Sequence, residues 1–202
     1  MPTITAIKQQ KNKNRVNVYL DDTFGFGIDL DNFVLLRLKV GQELTNKRVF
    51  EIVKKAEFQK TLEKLFRFAT LRPRSEKEIR DYFKRKKVHE SLHKDLLKKL
   101  GRLELIDDEK FTRWWIDQRQ AFRPKPKRLL SGELRMKGIT REIIDKVLGN
   151  EEIDEVKMAR KILEKKAYKW EGLSPQIARQ KMFQYLAGKG FSWDIIEKVV
   201  PK

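Results

Sequence analysis

The stretch Glu133-Leu-Arg-Met-Lys-Gly-Ile-Thr-Arg-Glu-Ile-Ile-Asp-Lys-Val-Leu148 returns near the end of the chain as Gln184-Tyr-Leu-Ala-Gly-Lys-Gly-Phe-Ser-Trp-Asp-Ile-Ile-Glu-Lys-Val-Val200. A shift of 52 residues superimposes the glycines of the two copies and the Ile-Ile pairs that follow them. A shift of 51 residues toward the start of the chain reaches a third copy, which contains Phe83, Val88, Leu92 and Leu96. Recurrence at a fixed period is typical of repeat proteins, so the sequence predicts three tandem repeats.

Each repeat has the pattern of three helices. From about Ala56 onward the apolar residues have helical spacing, with leading helices predicted at residues 57–71, 108–122 and 153–170. A second helix ends in a basic turn, and a third helix is opened by a Thr or Ser cap. One such helix cannot bury its own apolar stripe, whereas three joined by short turns can. We therefore expect three-helix bundles in an extended or curved array.

The first 55 residues have a different pattern. Apolar and polar residues alternate over 16–20 and again over 24–28, as in a β-hairpin, and residues 4–8 fit a third strand. Residues 29–36 have a short helical pattern. The predicted fold class is therefore mainly α, with a small β-hairpin-containing N-terminal module at 1–55 and three-helix repeats at 56–107, 108–149 and 150–202.

The composition indicates a polyanionic partner. The 202 residues include 47 Lys and Arg against 29 Asp and Glu, a formal net charge of +18. No stretch has the roughly 18 consecutive apolar residues of a membrane span. The N-terminus lacks the apolar run of a signal peptide, and the chain has no cysteine. These features predict a cytoplasmic protein without membrane contact. We also expect a monomer, although these features do not address the oligomeric state.

The segment from His89 to His93 matches the H-E-x-x-H pattern of zinc proteases. The repeat alignment favours structural roles, because it places His89 opposite helix-capping positions and His93 opposite apolar isoleucines. The acidic run at residues 107–109 likewise fits the start of a helix, with Asp108 as its cap. No other catalytic constellation is present, so we expect no catalysis, no metal, no cofactor and no small-molecule substrate.

Basic residues recur from repeat to repeat and are densest over residues 113–137. Such a run is often only a solvated face, but the neighbouring aromatic residues Phe122 and Trp115 favour binding. Of the adjacent pair Trp114 and Trp115, we expect one to face inward and the other to be a contact residue. The predicted contact residues for partner protein and DNA are Arg72, Arg74, Arg85, Arg113, Arg119, Arg123, Lys125, Lys127, Arg128, Arg135, Lys137, Arg179 and Lys181.

Four blocks in order, at residues 72–83, 105–114, 133–139 and 181–191, resemble the RecX family of bacterial recombination regulators. Residues 18–30 are similar to the N-terminal extension of its Gram-positive members. One departure is Lys87, which stands in the first repeat where the other two have Gly138 and Gly190.

The resemblance implies a non-enzymatic modulator, and specifically an inhibitor, of the RecA recombinase in homologous recombination, DNA repair and the SOS response. Its partners would be the RecA filament on single-stranded DNA and, more weakly, duplex DNA. On this hypothesis, joint neutralisation of Arg119, Arg123, Lys125, Lys127 and Arg128 abolishes inhibition without unfolding the protein. The alternative is a stand-alone DNA-binding protein whose repeats act as helix-turn-helix readers. Against that alternative, the third helices are short and poor in base-reading residues.

Overall fold

The computed structural model describes residues 1–201, which divide into two compact units. The first unit comprises residues 1–72 and 81–105, and the second comprises residues 73–80 and the chain from Ile106 onward. The two units share one helix, because the division falls within α3 (Glu76–Lys86). Within residues 1–201, every helix is too short or too polar to cross a bilayer.

The N-terminal module contains a three-stranded antiparallel sheet in the order β1-β2-β3. The strands are β1 (Ile4–Gln9), β2 (Arg15–Leu20) and β3 (Thr23–Asp29). Asp21 and Asp22 form the two-residue turn between β2 and β3, both with positive φ, which matches the right-handed twist of a hairpin. The predicted hairpin and third strand are therefore confirmed. Most of the alternating apolar side chains of the two predicted strands are buried, namely Val16, Val18, Leu20, Phe26 and Ile28. Phe24, next to the turn, is instead 62% exposed.

The sheet is covered by a helix that begins earlier than predicted. After α1 (Leu30–Leu35), the helix α2 spans Asn46–Thr70, although the predicted leading helix starts at residue 57. The hydroxyl of Thr45 caps α2 by accepting the Arg48 N–H at 3.2 Å. Ile52 and Ala56 are buried in the same core as the sheet. The predicted boundary at residue 55 thus lies inside a continuous helix, and the division into four modules stays a prediction.

The first repeat continues through α3, a 3-10 turn (Glu90–Leu92) and α4 (His93–Arg102). The second repeat consists of α5 (Asp108–Phe122), α6 (Lys127–Met136) and α7 (Arg141–Asn150), so the predicted helix at 108–122 is confirmed. Its core lies between the three helices and contains Phe111, Ile116, Leu130, Leu134 and Ile144.

The third repeat consists of α8 (Glu155–Glu164), a 3-10 turn (Ala167–Lys169), α9 (Pro175–Gly188) and α10 (Trp193–Val199). The prediction of one helix over 153–170 is wrong at its end, because α8 stops at Glu164. The 3-10 turn that follows redirects the chain so that Trp170, only 7% exposed, enters the core of the repeat. Burial of this large ring stabilises the interruption of the helix.

The corner between the second and third helices has the same geometry in every repeat. Its central residue has positive φ each time, at +51° for Lys87, +83° for Gly138 and +85° for Gly190. The next residue donates its N–H to a carbonyl five positions back at 3.0, 3.1 and 3.2 Å, the hydrogen bond of a Schellman helix end. The internal alignment is therefore confirmed, and Lys87 adopts the left-handed conformation in spite of its side chain.

Candidate partner and nucleic-acid interface

Several of the predicted contact residues are used inside the second unit. Arg74 is buried and pairs with Glu78 at 3.7 Å. Lys137 pairs with the same carboxylate at 3.0 Å. A buried guanidinium paired to a carboxylate is inaccessible to a polyanion. Arg74 and Lys137 therefore act as structural cations in this fold, and their assignment as contact residues stays a prediction.

Glu133 is the centre of the main internal charge cluster. Its carboxylate accepts hydrogen bonds from the Trp115 Nε1 at 2.9 Å, from the Arg119 Nε at 2.8 Å and from the Lys125 Nζ. Arg119 and Lys137 also lie over the Trp115 ring, at 4.4 and 4.9 Å from its centroid. The cations of this cluster hold α5 against α6. Arg119 and Lys125 are therefore primarily structural, which sequence spacing did not predict.

The side chains of Trp115, Arg119 and Lys125, which with Glu133 form the Glu133 cluster, shift the pKa of the Glu133 carboxyl. Burial alone raises this pKa, but hydrogen bonds from Lys125, Arg119 and Trp115 outweigh burial, and the net shift is downward. The ionised carboxylate thus contributes stability at every pH above its unfolded pKa. That contribution is lost as pH falls through the lowered pKa of the folded state.

We expect Glu133→Gln to lower the free energy of unfolding near pH 7 by about 1–3 kcal/mol, because two cations lose their carboxylate. Urea unfolding across pH should show this difference in full near neutrality, and the difference should shrink as acid protonates Glu133 in the folded wild-type protein. The exposed Glu152 supplies the matched control Glu152→Gln, for which we expect little change at any pH. A loss of stability independent of pH would contradict the role of the charge.

Lys127 also has a structural role. Its Nζ donates to the carbonyls of Leu148 and Glu151, both at 2.8 Å, at the end of α7. A cation at a helix C-terminus satisfies free carbonyl groups and interacts favourably with the helix dipole. Lys127 therefore satisfies helix-end carbonyls in this fold, and its assignment to a contact surface stays a prediction. A variant that neutralises Lys127, Arg119 and Lys125 together would perturb folding as well as binding, contrary to the expectation from sequence.

Three of the predicted residues are exposed and lie on α6 or close to it in the chain. Arg128 and Arg135 are seven residues apart on α6 and therefore lie on one face, about 10 Å apart along the helix axis. Gly132 lies between them and leaves open space, since a Cβ there would meet no atom within 4 Å. The exposed Arg123 ends α5 in the loop before α6. We call Arg123, Arg128 and Arg135 the α6 patch.

The α6 patch is bordered by apolar side chains that face solvent. Phe122 is 78% exposed and Met136 is 70% exposed. Cations beside an exposed aromatic ring suit single-stranded nucleic acid, since phosphates pair with the guanidinium groups and bases stack on the ring. The same combination suits a protein surface with acidic and apolar groups.

The other predicted residues are distributed over both units. Arg113 pairs with Glu109 at 2.5 Å across one turn of α5 and is about half-exposed. Arg179 and Lys181 are exposed on α9. In the first unit, Arg72 is half-buried, and Arg85 is exposed with its guanidinium 5.8 Å from the Tyr82 ring centroid. Surface pairs such as Arg113–Glu109 contribute little stability and leave the cation available to a partner.

Both tryptophans of the adjacent pair are half-buried against the core of the second repeat. Their rings lie 5.9 Å (Trp114) and 5.8 Å (Trp115) from the Phe111 ring, and Trp115 is held further by the Glu133 cluster. Neither ring is fully exposed, and the expectation that one of them is a contact residue stays a prediction. Two adjacent tryptophans of one helix can both pack against a core if their large rings lie along the edge of the core and not at its centre.

The two histidines have structural contacts. His89 caps the 3-10 turn, with its Nδ1 3.3 Å from the Ser91 N–H that it accepts, so the predicted capping role is confirmed. The His93 ring stacks on Phe83 at 4.5 Å, and its Nε2 lies 2.9 Å from the Val88 carbonyl. Over residues 1–201, no group of three or more His, Cys, Asp or Glu side chains is arranged to hold a metal ion.

Sequence comparisons match the chain to three domains of one family. The family model described as the regulatory protein RecX N-terminal domain matches residues 2–45, and those of the second and third RecX three-helix domains match residues 107–148 and 152–200. The regulatory protein RecX of Bacillus licheniformis is 35% identical, over 97% of this chain and 75% of the relative. The chain belongs to the RecX family.

Other RecX proteins agree with this assignment. The regulatory protein RecX of Bacillus subtilis is 32% identical over 97% of this chain and 75% of its own length. A crystal structure of a regulatory protein RecX aligns over 98% of both chains, with a TM-score of 0.78 and 26% identity. The RecX structure from Lactobacillus salivarius covers 71% of this chain with a TM-score of 0.65 and 25% identity. The predicted RecX membership and mainly helical fold class are confirmed.

Proposed function

We propose that this RecX protein inhibits the RecA recombinase in the cytoplasm by binding as a monomer along RecA filaments on single-stranded DNA. The α6 patch is the observation that carries the proposal. It presents three cations with no carboxylate partner among residues 1–201, beside the exposed Phe122. Such a surface can pair with phosphates or with acidic protein groups on a filament. The altered properties would be filament assembly, ATP hydrolysis and strand exchange.

The second candidate, a stand-alone helix-turn-helix reader of duplex DNA, is less well supported. On α7, the third helix of its repeat, Arg141 pairs with Asp145 at 3.3 Å and Lys146 pairs with Glu109 at 2.8 Å. On α10, Asp194 and Glu197 accompany Lys198. A recognition helix needs free side chains that reach base edges, and a helix of paired or mixed charges is a poor one.

One titration separates the two candidates. The protein is added to preformed RecA filaments and, separately, to bare single-stranded and duplex DNA over a range of salt concentrations. We expect the filament ATPase rate to fall, with bare single-stranded DNA bound in a salt-dependent way and duplex DNA bound more weakly. Dominant sequence-specific duplex binding with an unchanged filament ATPase would contradict the proposal and favour the helix-turn-helix reader.

A further inference from the structure

A cleft lies between the sheet of the N-terminal module and α2, entirely within the first compact unit. Its volume is about 650 Å³, which is within the usual range for ligand sites in proteins. Residues of β2 and β3 form one wall, and the middle of α2 forms the other. We call it the α2 cleft. The lining residues used below are Arg15 and Phe24 on the sheet, and Lys60, Lys64 and Arg67 on α2.

The α2 cleft has an excess of positive charge. Four cations line it against the carboxylates of Glu57 and Glu63. Lys60, Lys64 and Arg67 are three or four residues apart and therefore share one face of α2. Among residues 1–201, none of the four cations has a carboxylate within ion-pair distance. Like charges on one surface repel one another, and an anion in the cleft would relieve that repulsion.

Arg15 has a donor that the protein itself does not satisfy. Its Nη2 donates to the Gly27 carbonyl at 3.2 Å, but its Nη1 is buried without a hydrogen-bond partner among residues 1–201. Asp29, which is paired with Arg15 in the sheet, directs its carboxylate to Asn32 instead. Buried polar groups in proteins are nearly always hydrogen-bonded, so this half-buried guanidinium needs compensation from the side of the cleft.

An exposed aromatic ring borders the same cleft. Phe24 is 62% exposed, and its ring meets that of Tyr19 edge to face at a centroid distance of 6.2 Å. An unpaired base can stack on such a ring while neighbouring phosphates pair with cations. In a duplex the bases are already stacked on one another. An acidic protein segment would use the cations of the cleft but would not require the aromatic face of Phe24.

We infer that the α2 cleft binds a segment of single-stranded nucleic acid, with backbone phosphate at its cations and a base on Phe24. The inference goes beyond the proposed function, because it concerns the first unit and needs no recombinase. The phosphate of a free nucleotide has the same chemistry as that of a strand, so the experiments below include both.

The first test compares two double charge reversals on α2. Lys60→Glu with Lys64→Glu alters the α2 cleft, whereas Lys47→Glu with Lys55→Glu makes the same charge change at exposed positions of α2 outside it. Binding of a labelled thymidine oligonucleotide is measured by fluorescence anisotropy without RecA. We expect the cleft variant to bind at least about tenfold more weakly than the control variant. Equal affinity of the two variants would overturn the inference.

Phe24→Leu tests the stacking contact without a change in charge, and its exposed position makes a loss of folding unlikely to interfere. We expect this variant to bind the thymidine oligonucleotide about fivefold or more weakly than the wild-type protein, because leucine has no ring on which a base can stack. Its affinity for an abasic oligonucleotide of the same length, which retains the phosphates, should match that of the wild-type protein. Unchanged affinity for the thymidine oligonucleotide would contradict the base contact.

Thymidine triphosphate and inorganic phosphate distinguish the possible sources of the phosphate. We expect both to bind more weakly than the oligonucleotide, since each fills only part of the cleft. Triphosphate binding as tight as that of the oligonucleotide, with both lost in the cleft variant, would assign the cleft to a free nucleotide. A selective loss of affinity for DNA-free RecA would assign it to protein. Either result would overturn the inference, whereas an unchanged filament ATPase with wild-type protein would contradict only the proposed function.

Discussion

Gly138→Ala should lower the free energy of unfolding by about 2–4 kcal/mol. The residue has φ of +83°, which an L side chain adopts at a cost, and its new methyl group would collide with the Lys77 Cβ of the preceding repeat. Gly190→Ala should behave alike, because its methyl group would meet Leu129. Urea or thermal unfolding monitored by circular dichroism measures both effects.

Two further substitutions provide controls for this prediction. Lys87→Gly, at the equivalent corner of the first repeat, should stabilise the protein by about 0.5–1 kcal/mol, because its φ of +51° favours glycine. Gly149→Ala lies within α7, where a Cβ meets no atom within 4 Å, and should be neutral or stabilising. Destabilisation by Lys87→Gly, or tolerance of Gly138→Ala, would contradict the shared geometry of the corners.

Neutralisation of the α6 patch should weaken binding without loss of stability. We expect the triple variant Arg123→Gln, Arg128→Gln and Arg135→Gln to bind single-stranded DNA roughly 10- to 100-fold more weakly, taking about 0.5–0.9 kcal/mol for each lost contact. The slope of log affinity against log salt should fall by about 2, since each phosphate contact on a single strand contributes about 0.7. Fluorescence anisotropy with a labelled oligonucleotide at several salt concentrations measures both quantities.

A matched control removes the same amount of charge elsewhere. Lys94, Lys98 and Lys99 are exposed on α4 and were not predicted contact residues. Their joint change to Gln should reduce DNA affinity only through net charge, by about twofold. Thermal unfolding of both triple variants should match the wild-type protein. Equal loss of affinity in the two would show that the α6 patch has no special role in DNA binding.

The repeats were predictable because their local signals are strong. The helix α5 occupies the predicted residues 108–122, although its cap is Asp107, whose carboxylate accepts the N–H groups of Glu109 and Lys110. The predicted cap, Asp108, instead caps α3 of the preceding repeat. The run of acidic residues at 107–109 predicts where α5 starts. It does not predict that Asp108 caps α3, because α3 is distant in sequence.

Sequence spacing does not predict which basic side chains are exposed and which form internal contacts. Arg123 and Lys125 are two positions apart, yet the first is exposed without a carboxylate partner among the described residues and the second binds Glu133. Lys127 bonds carbonyls that lie more than 20 residues further along the chain. Such pairings depend on how α5, α6 and α7 pack. One available signal was Glu133, an isolated acid in a basic segment, which is a natural partner for several cations.

The early start of α2 was missed for a different reason. Ile52, Val53 and Ala56 have helical spacing and follow the capping residue Thr45, but their apolar face covers the sheet instead of a helical repeat. The sequence pattern therefore assigns residues 46–55 to the sheet module, although they form the first part of α2. The end of α8 was missed because the tertiary burial of Trp170 overrides the helical propensity of the residues before it.

The most direct test of the central claim is the ATPase rate of preformed RecA filaments on single-stranded DNA, titrated with wild-type protein and with the two triple variants. Regulation through the α6 patch predicts that the wild-type protein and the α4 control inhibit the ATPase over similar concentrations. The α6 patch variant should need at least about tenfold more protein for the same inhibition. Equal inhibition by the α6 patch variant and the α4 control would contradict the claim.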